Sequence, residues 1–167
     1  MNATPQRPTS TRFTVLGRLR RGPLAAILVG CLALPLGASL SAADLVKVKV
    51  KVGPAVFRAE LAQTTAEQLR GLMFRRQLPP DQGMLFIQPP GRAEFWMKNT
   101  LIPLDLLYFD VDGTLLEIVA AAQPCRQPQC PTYPSESAAV HYILEINGGE
   151  AARRAIKVGA QLELEQR

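Results

Sequence analysis

The chain has 167 residues, enough for one domain of ordinary size, and a formal net charge of +5 from 19 Lys and Arg against 14 Asp and Glu. All of that excess lies in residues 1–43, which hold Arg7, Arg12, Arg18, Arg20 and Arg21 and no acidic side chain, so residues 44–167 carry 14 basic and 14 acidic groups. A charge-balanced remainder gives no support to a nucleic-acid partner, and its length suits one hydrophobic core rather than two.

Behind the Arg-rich start, residues 24–40 form an apolar run broken only by small residues and Pro35. This is the pattern of a cleavable secretory signal peptide, and Ser41-Ala42-Ala43 supplies the small residues that a signal peptidase reads. The expected organisation is therefore a signal peptide over 1–43 and a single β-rich domain over 44–167, exported to the periplasm or secreted. Leu28-Val29-Gly30-Cys31 has the form of a lipobox, so a lipoprotein anchored at Cys31 is the alternative. The apolar run before Cys31 is short and continues past it, which favours plain cleavage. Contact with the membrane is expected only through the leader or that lipid. Arg20-Arg21 hints at twin-arginine export, but Pro23 stands where that signal wants a bulky apolar residue.

Residues 45–52 alternate strictly, with Val46, Val48, Val50 and Val52 on one face and Lys47, Lys49 and Lys51 on the other, as a half-buried strand does. The Lys row reads as a solvated face that also guards a sheet edge. Gly53-Pro54 turns the chain into a returning strand over 56–61. Thr64-Thr65-Ala66-Glu67 is a capping box and predicts a short helix to about residue 74, with Ala66, Leu69 and Met73 facing the sheet. Gly71 inside it suggests close approach to another backbone. After a turn over 79–83, residues 84–87 are continuously apolar and suit a strand buried on both faces. Pro89-Pro90-Gly91 is expected to turn the chain again.

In the next stretch Glu94, Trp96 and Lys98 alternate with Phe95 and Met97, which places the apolar pair inward and the amphipathic trio outward. Two apolar runs, 104–110 and 114–119, flank Asp112-Gly113, whose tolerance of positive φ suits a type I′ hairpin turn. Residues 123–137 hold four Pro and both remaining cysteines and are expected to be one long loop. Residues 139–146 form a further strand, with Val140, Tyr142, Leu144 and Ile146 on the more apolar face and His141 with Glu145 on the other. Asn147-Gly148-Gly149 opens a second helix, stopped by Gly159, and residues 160–165 alternate as a last strand.

Cys125 and Cys130 are the only cysteines after the leader. In an exported protein a pair this close reads as a disulfide. A metal site competes poorly, because the spacing is not C-x2-C and His141 is the only other soft ligand, so no metal or other cofactor is expected.

Phe109-Asp110-Val111-Asp112-Gly113-Thr114-Leu115 resembles the first motif of haloacid-dehalogenase-type phosphatases, in which the first Asp is the nucleophile and the second the acid/base beside Mg²⁺. That chemistry needs a parallel α/β sheet and further acidic residues on later strands, and a hairpin turn explains Asp112-Gly113 with fewer parts. A more specific resemblance covers nearly all of residues 44–167. ELAQTTAEQLRGLMFR, PPDQGMLFI, FWMKNTLIPLDLLYFD, PCRQPQCPTY and YILEINGGEAARRAIKVG, in that order, resemble the uncharacterised bacterial and archaeal family known as domain of unknown function 192 (DUF192). The resemblance implies a compact, mostly β (α+β) fold, an antiparallel barrel or sandwich with two short helices, often behind an export signal. It implies no established activity.

The leading functional expectation is a non-enzymatic exported domain that binds a small molecule or an envelope component. An aromatic plate, Trp96, flanked by Glu94 and Lys98 and followed by Asn99 and Thr100, is what a pocket needs to orient a ligand. The bland reading is that Trp96 covers a neighbouring strand or the cystine loop and Lys98 snorkels over it. The alternatives are a metal-dependent phosphatase at Asp110 and Asp112, a hydrolase using Lys98, Asn99, Asp105 or His141, and a purely structural or interaction domain.

Overall fold

The computed structural model describes residues 45–165, so the leader, its cleavage point and Cys31 lie outside the described residues. The first hairpin joins β1 (Lys47–Val52) to β2 (Ala55–Ala62), and the predicted alternation buries Val50, Val52, Phe57 and Ala59 completely. On its other side β1 pairs with β9 (Leu162–Glu165), which brings Lys49 and Lys51 within 2.8 and 2.9 Å of Glu165 and Glu163. The Lys row is thus at the surface but inside the sheet, paired across strands rather than guarding an edge. Such exposed pairs stabilise by less than about 1 kcal/mol each.

The capping box forms: the Glu67 N–H donates to Thr64 Oγ1 at 3.2 Å and the Thr64 N–H to the Glu67 carboxylate at 2.8 Å. The helix it starts, α1 (Thr65–Arg70), is shorter than predicted and buries no residue; Leu69 is 62% exposed. Gly71 ends it at φ +47° and ψ −137°, a conformation open to glycine and little else. Conformation, and not close backbone approach, explains this glycine, since a Cβ here would meet nothing nearer than a Phe86 ring carbon at 3.5 Å. Only Leu72, in the turn that follows, reaches the core.

β3 (Gln82–Gly91) returns parallel to β2, with α1 in the crossover. Met84, Leu85 and Phe86 are buried as expected. The strand also runs on through Pro89-Pro90-Gly91, because a register shift against β8 (Val140–Asn147) between Ile87 and Gly91 spares the prolines any ladder bond. β8 lies between β3 and β5 (Leu104–Phe109), and β6 (Leu115–Ala122) pairs with β5 at one edge. The order β6-β5-β8-β3-β2-β1-β9 is a seven-stranded mixed sheet, not a wholly antiparallel barrel or sandwich. Its two edges meet at one end, where the Leu115 N–H donates to the Ala160 carbonyl and the Leu162 N–H to the Gly113 carbonyl, both at 2.8 Å. The barrel does not close: β6 and β9 share no ladder, and among the described residues only the isolated bridge of Thr114 with Gln161 joins the two edges.

The turn between β5 and β6 is not type I′. The Gly113 N–H donates to the Asp110 carbonyl at 3.2 Å, and Gly113 alone takes positive φ (+81°), as in a type I turn closed by a left-handed glycine. All six residues of β5 are buried because both faces of the sheet are covered. Leu107 and Phe109 join Val50, Phe57 and Ile146 under α2 (Glu150–Arg153), while Leu106 and Tyr108 join Met84, Phe86 and Ile143. α2 is shorter than predicted: it stops at Arg153, and Ala155 turns left-handed at φ +54°. The second core is roofed by a small sheet of β4 (Glu94–Trp96) and β7 (Thr132–Pro134), so the expected long loop supplies a strand of its own. Cys125 and Cys130 are joined in a disulfide in that segment, with Cα atoms 5.9 Å apart.

Candidate functional site

β4 is the element that brings the predicted site residues into place. Its alternation holds: Glu94 and Trp96 face outward, Trp96 being 43% exposed, while Phe95 is half-buried and Met97 fully buried. Two bonds with Ser135 fix its start, the Ala93 N–H donating to Ser135 Oγ at 3.0 Å and the Ser135 N–H to the Ala93 carbonyl at 2.8 Å. Beyond Trp96 the chain is pinned to the cystine, with the Cys125 N–H donating to the Met97 carbonyl at 3.0 Å and the Asn99 N–H to the Cys125 carbonyl at 2.7 Å. Lys98 Nζ then sits 5.2 Å from the centroid of the Trp96 ring, a cation–π contact that is the snorkelling of the bland reading.

Beside this strand a cavity of about 240 Å³ opens between α1 with its following turn, β3, β4 and β8. Leu72, Phe86, Phe95 and Ile143 give it apolar walls, and Leu69, Arg70, Trp96 and Lys98 lie toward its mouth. One buried carboxyl lines it, that of Glu145, which is 5% exposed and whose Oε2 has no hydrogen-bond partner. Burial pushes the Glu145 carboxyl up to about 8, and the Arg75 guanidinium opposes this only in part, being bonded through both its terminal nitrogens to Glu60. At neutral pH the group is therefore mainly a carboxylic acid: a proton and hydrogen-bond donor set in an apolar wall.

Glu94, Trp96, Lys98 and Thr100 all line this cavity. Thr100 is nearly buried and donates its hydroxyl to the Met97 carbonyl at 2.7 Å, so it faces a ligand as an acceptor. Asn99 is separated from them. It turns left-handed at φ +57°, accepts the Phe74 N–H at 2.9 Å and lines a shallow depression with Phe74, Arg76 and Arg126. Glu145 was missing from the predicted set, because strand alternation alone assigns it to the solvent face of β8. The one available signal was apolar residues on both faces of that strand, Ile143 as well as Leu144 and Ile146, which marks a strand covered on both sides.

The sequence profile of DUF192, a family described as Uncharacterized ACR, matches residues 46–164. The chain belongs to this family. A crystal structure of a protein of unknown function from Novosphingobium aromaticivorans DSM 12444 is similar, at 42% identity over 73% of this chain and 88% of that one, with a TM-score of 0.67. So is that of a "putative transcription regulator" from Sinorhizobium meliloti 1021, at 35% identity over 72% of this chain and 95% of that one, again with a TM-score of 0.67. None of the curated proteins compared with it matches.

The other candidate residues of this DUF192 chain do not line the cavity. Asp105 is fully buried, and its carboxylate accepts the N–H groups of Ala121, Gly149 and Ala151 at 2.8, 2.9 and 2.9 Å, tying a bulge in β6 to the start of α2. His141 packs edge-on against Tyr142 and does not line the cavity; its Nδ1 is buried without a hydrogen-bond partner, away from that site. Asp110 Oδ1 accepts the N–H groups of Asp112 and Thr114 at 3.0 and 2.8 Å, so the phosphatase-like motif is the tip of an antiparallel hairpin whose first carboxylate holds the turn. Among the described residues, no three His, Cys, Asp or Glu side chains converge in a metal-binding arrangement.

Proposed function

We propose that this chain is an exported, non-enzymatic module that binds a small molecule or a cell-envelope component in the cavity beside Trp96. The observation that carries the reading is the Glu145 carboxyl, buried in that cavity with Oε2 unpartnered. Leaving such a group unsatisfied costs about 1–3 kcal/mol, a cost that an apolar residue of similar shape would avoid and that a ligand accepting from it would offset. The mouth supports the same reading, since Trp96 offers an aromatic face while Glu94 and Lys98 can orient a polar rim. Export is supported by the Arg-rich apolar leader and by the cystine, which persists in oxidising compartments. The regulatory role named for the Sinorhizobium relative fits less well, because residues 44–167 have no excess positive charge for nucleic acid.

Trp96 is the only Trp in the chain, so its fluorescence reports on the cavity mouth directly. The test is a library of envelope sugars, peptides and lipids, read by Trp emission and by melting temperature. A ligand should move both, and Glu145→Ala should abolish the response. Silence across the library in both readouts would defeat the proposal.

A further inference from the structure

We infer that the occupant of this cavity is a small uncharged molecule that presents a hydrogen-bond acceptor, such as an amide or ketone carbonyl, to the Glu145 carboxyl and an apolar body to Phe86, Phe95 and Trp96. The inference rests on the cavity being a ligand site and names the class of ligand. Size sets the first limit. About 240 Å³ lies below the roughly 300–1,000 Å³ of sites for drug-sized ligands, which suits a single ring or a short chain.

Charge sets the second. The groups that face Glu145 are Arg70 on α1, Arg75 beyond it, Glu94 and Lys98 from the β4 segment, and the phenol of Tyr108 on β5. Arg75 is held by Glu60, Lys98 rides on Trp96, and the Tyr108 hydroxyl donates to the Tyr133 carbonyl at 2.8 Å. A cationic ligand would pass Arg70 and Lys98 and then need Glu145 ionised, which burial opposes. An anionic ligand would lose its water beside a carboxyl that cannot neutralise it, with Arg70 and Lys98 only toward the mouth. An uncharged acceptor avoids both penalties. It accepts from the Glu145 acid group, to which the fold supplies no side-chain or backbone partner at Oε2, and its apolar part displaces water from aromatic walls.

Three ring probes of similar size and different charge test this: benzamide, benzoate and benzylamine, titrated into the isotope-labelled protein and followed by amide NMR at pH 6.5. Benzamide should shift the resonances of Gly71, Phe95 and Ile143. Glu145→Gln, a neutral donor of the same shape, should bind it within about twofold of the parent, and Glu145→Ala should bind at least about tenfold more weakly. Raising the pH to 9.5 should weaken benzamide binding about tenfold or more in the parent and leave Glu145→Gln unchanged. Tighter binding of benzylamine, strengthening with pH and abolished by Glu145→Gln, overturns the ligand class, as does tighter binding of benzoate. Benzamide silent while another probe or a library compound binds has the same force, and leaves the cavity standing as a ligand site. Silence from all three probes and from the fluorescence library removes the site and the inference together.

Discussion

Replacing Glu145 with Gln should make the protein more stable, by an amount that grows with pH. The folded carboxyl holds its proton up to about 8, whereas the unfolded one releases it near the ordinary value of 4.5. Between those values the folded state binds more protons than the unfolded state, so stability falls as pH rises, by up to about 1.4 kcal/mol per pH unit. Across the whole window the ceiling is about 5 kcal/mol, and water drawn into the cavity by the ionised group brings the expectation to about 3–5 kcal/mol. Gln cannot titrate, and every other group is common to both proteins, so the difference between them isolates this one ionisation. Urea unfolding of both proteins at pH 4, 6 and 8.5 measures it: the gap should be smallest at pH 4, widen through pH 6 and level off above pH 8. A gap constant to within about 0.5 kcal/mol over that range would show that Glu145 ionises like a solvated carboxyl, and the account of it as a buried acid would fall.

Asp105→Ala leaves three backbone donors without their carboxylate and should cost about 3–5 kcal/mol in the same assay; a loss under about 1 kcal/mol would refute its role as the tie between β6 and α2. Replacing Cys125 and Cys130 together with Ser should lower stability by no more than about 3 kcal/mol without unfolding, because the loop they close is short. Mass spectrometry of the protein purified without reductant should find the bridge, and two free thiols would count against it. Gly71→Ala should cost about 1–3 kcal/mol through backbone strain alone, and an unchanged melting temperature would mean that the turn after α1 adapts freely.

Local pattern gave most of the strands. The alternation of Lys47–Val52, the two apolar runs about Asp112-Gly113 and the capping box at Thr64 each depend on residues a few positions apart, and each formed. What the pattern could not supply was neighbourhood. Nothing within residues 82–91 says that this strand lies parallel to β2, or that a register shift lets it run through two prolines. Leu69 stands at a core-like helical position yet is exposed, because α1 ends before a second turn can reach the sheet. The site divides in the same way. Glu94, Trp96 and Lys98 could be grouped from one strand's alternation, whereas Glu145 joins them only because β8 occupies the middle of the sheet and the β4–β7 pair roofs its second face.

The pairing of β1 with β9 sets the order in which the protein can be completed. Lys49 and Glu165 are 116 positions apart, so the first strand of the sheet stays open along one side until the last strand arrives. A chain emerging from its N-terminal end can form the β1–β2 hairpin early, but holding the ends of so long a loop together must await the rest of the core. Until then Val50 and Val52 lie beside a row of unpaired backbone groups, the exposed edge on which strands from other chains can add. The alternating lysines of β1 therefore have a task before folding is finished as well as after: repelling their own kind while the edge is bare, and pairing with Glu163 and Glu165 once it is covered.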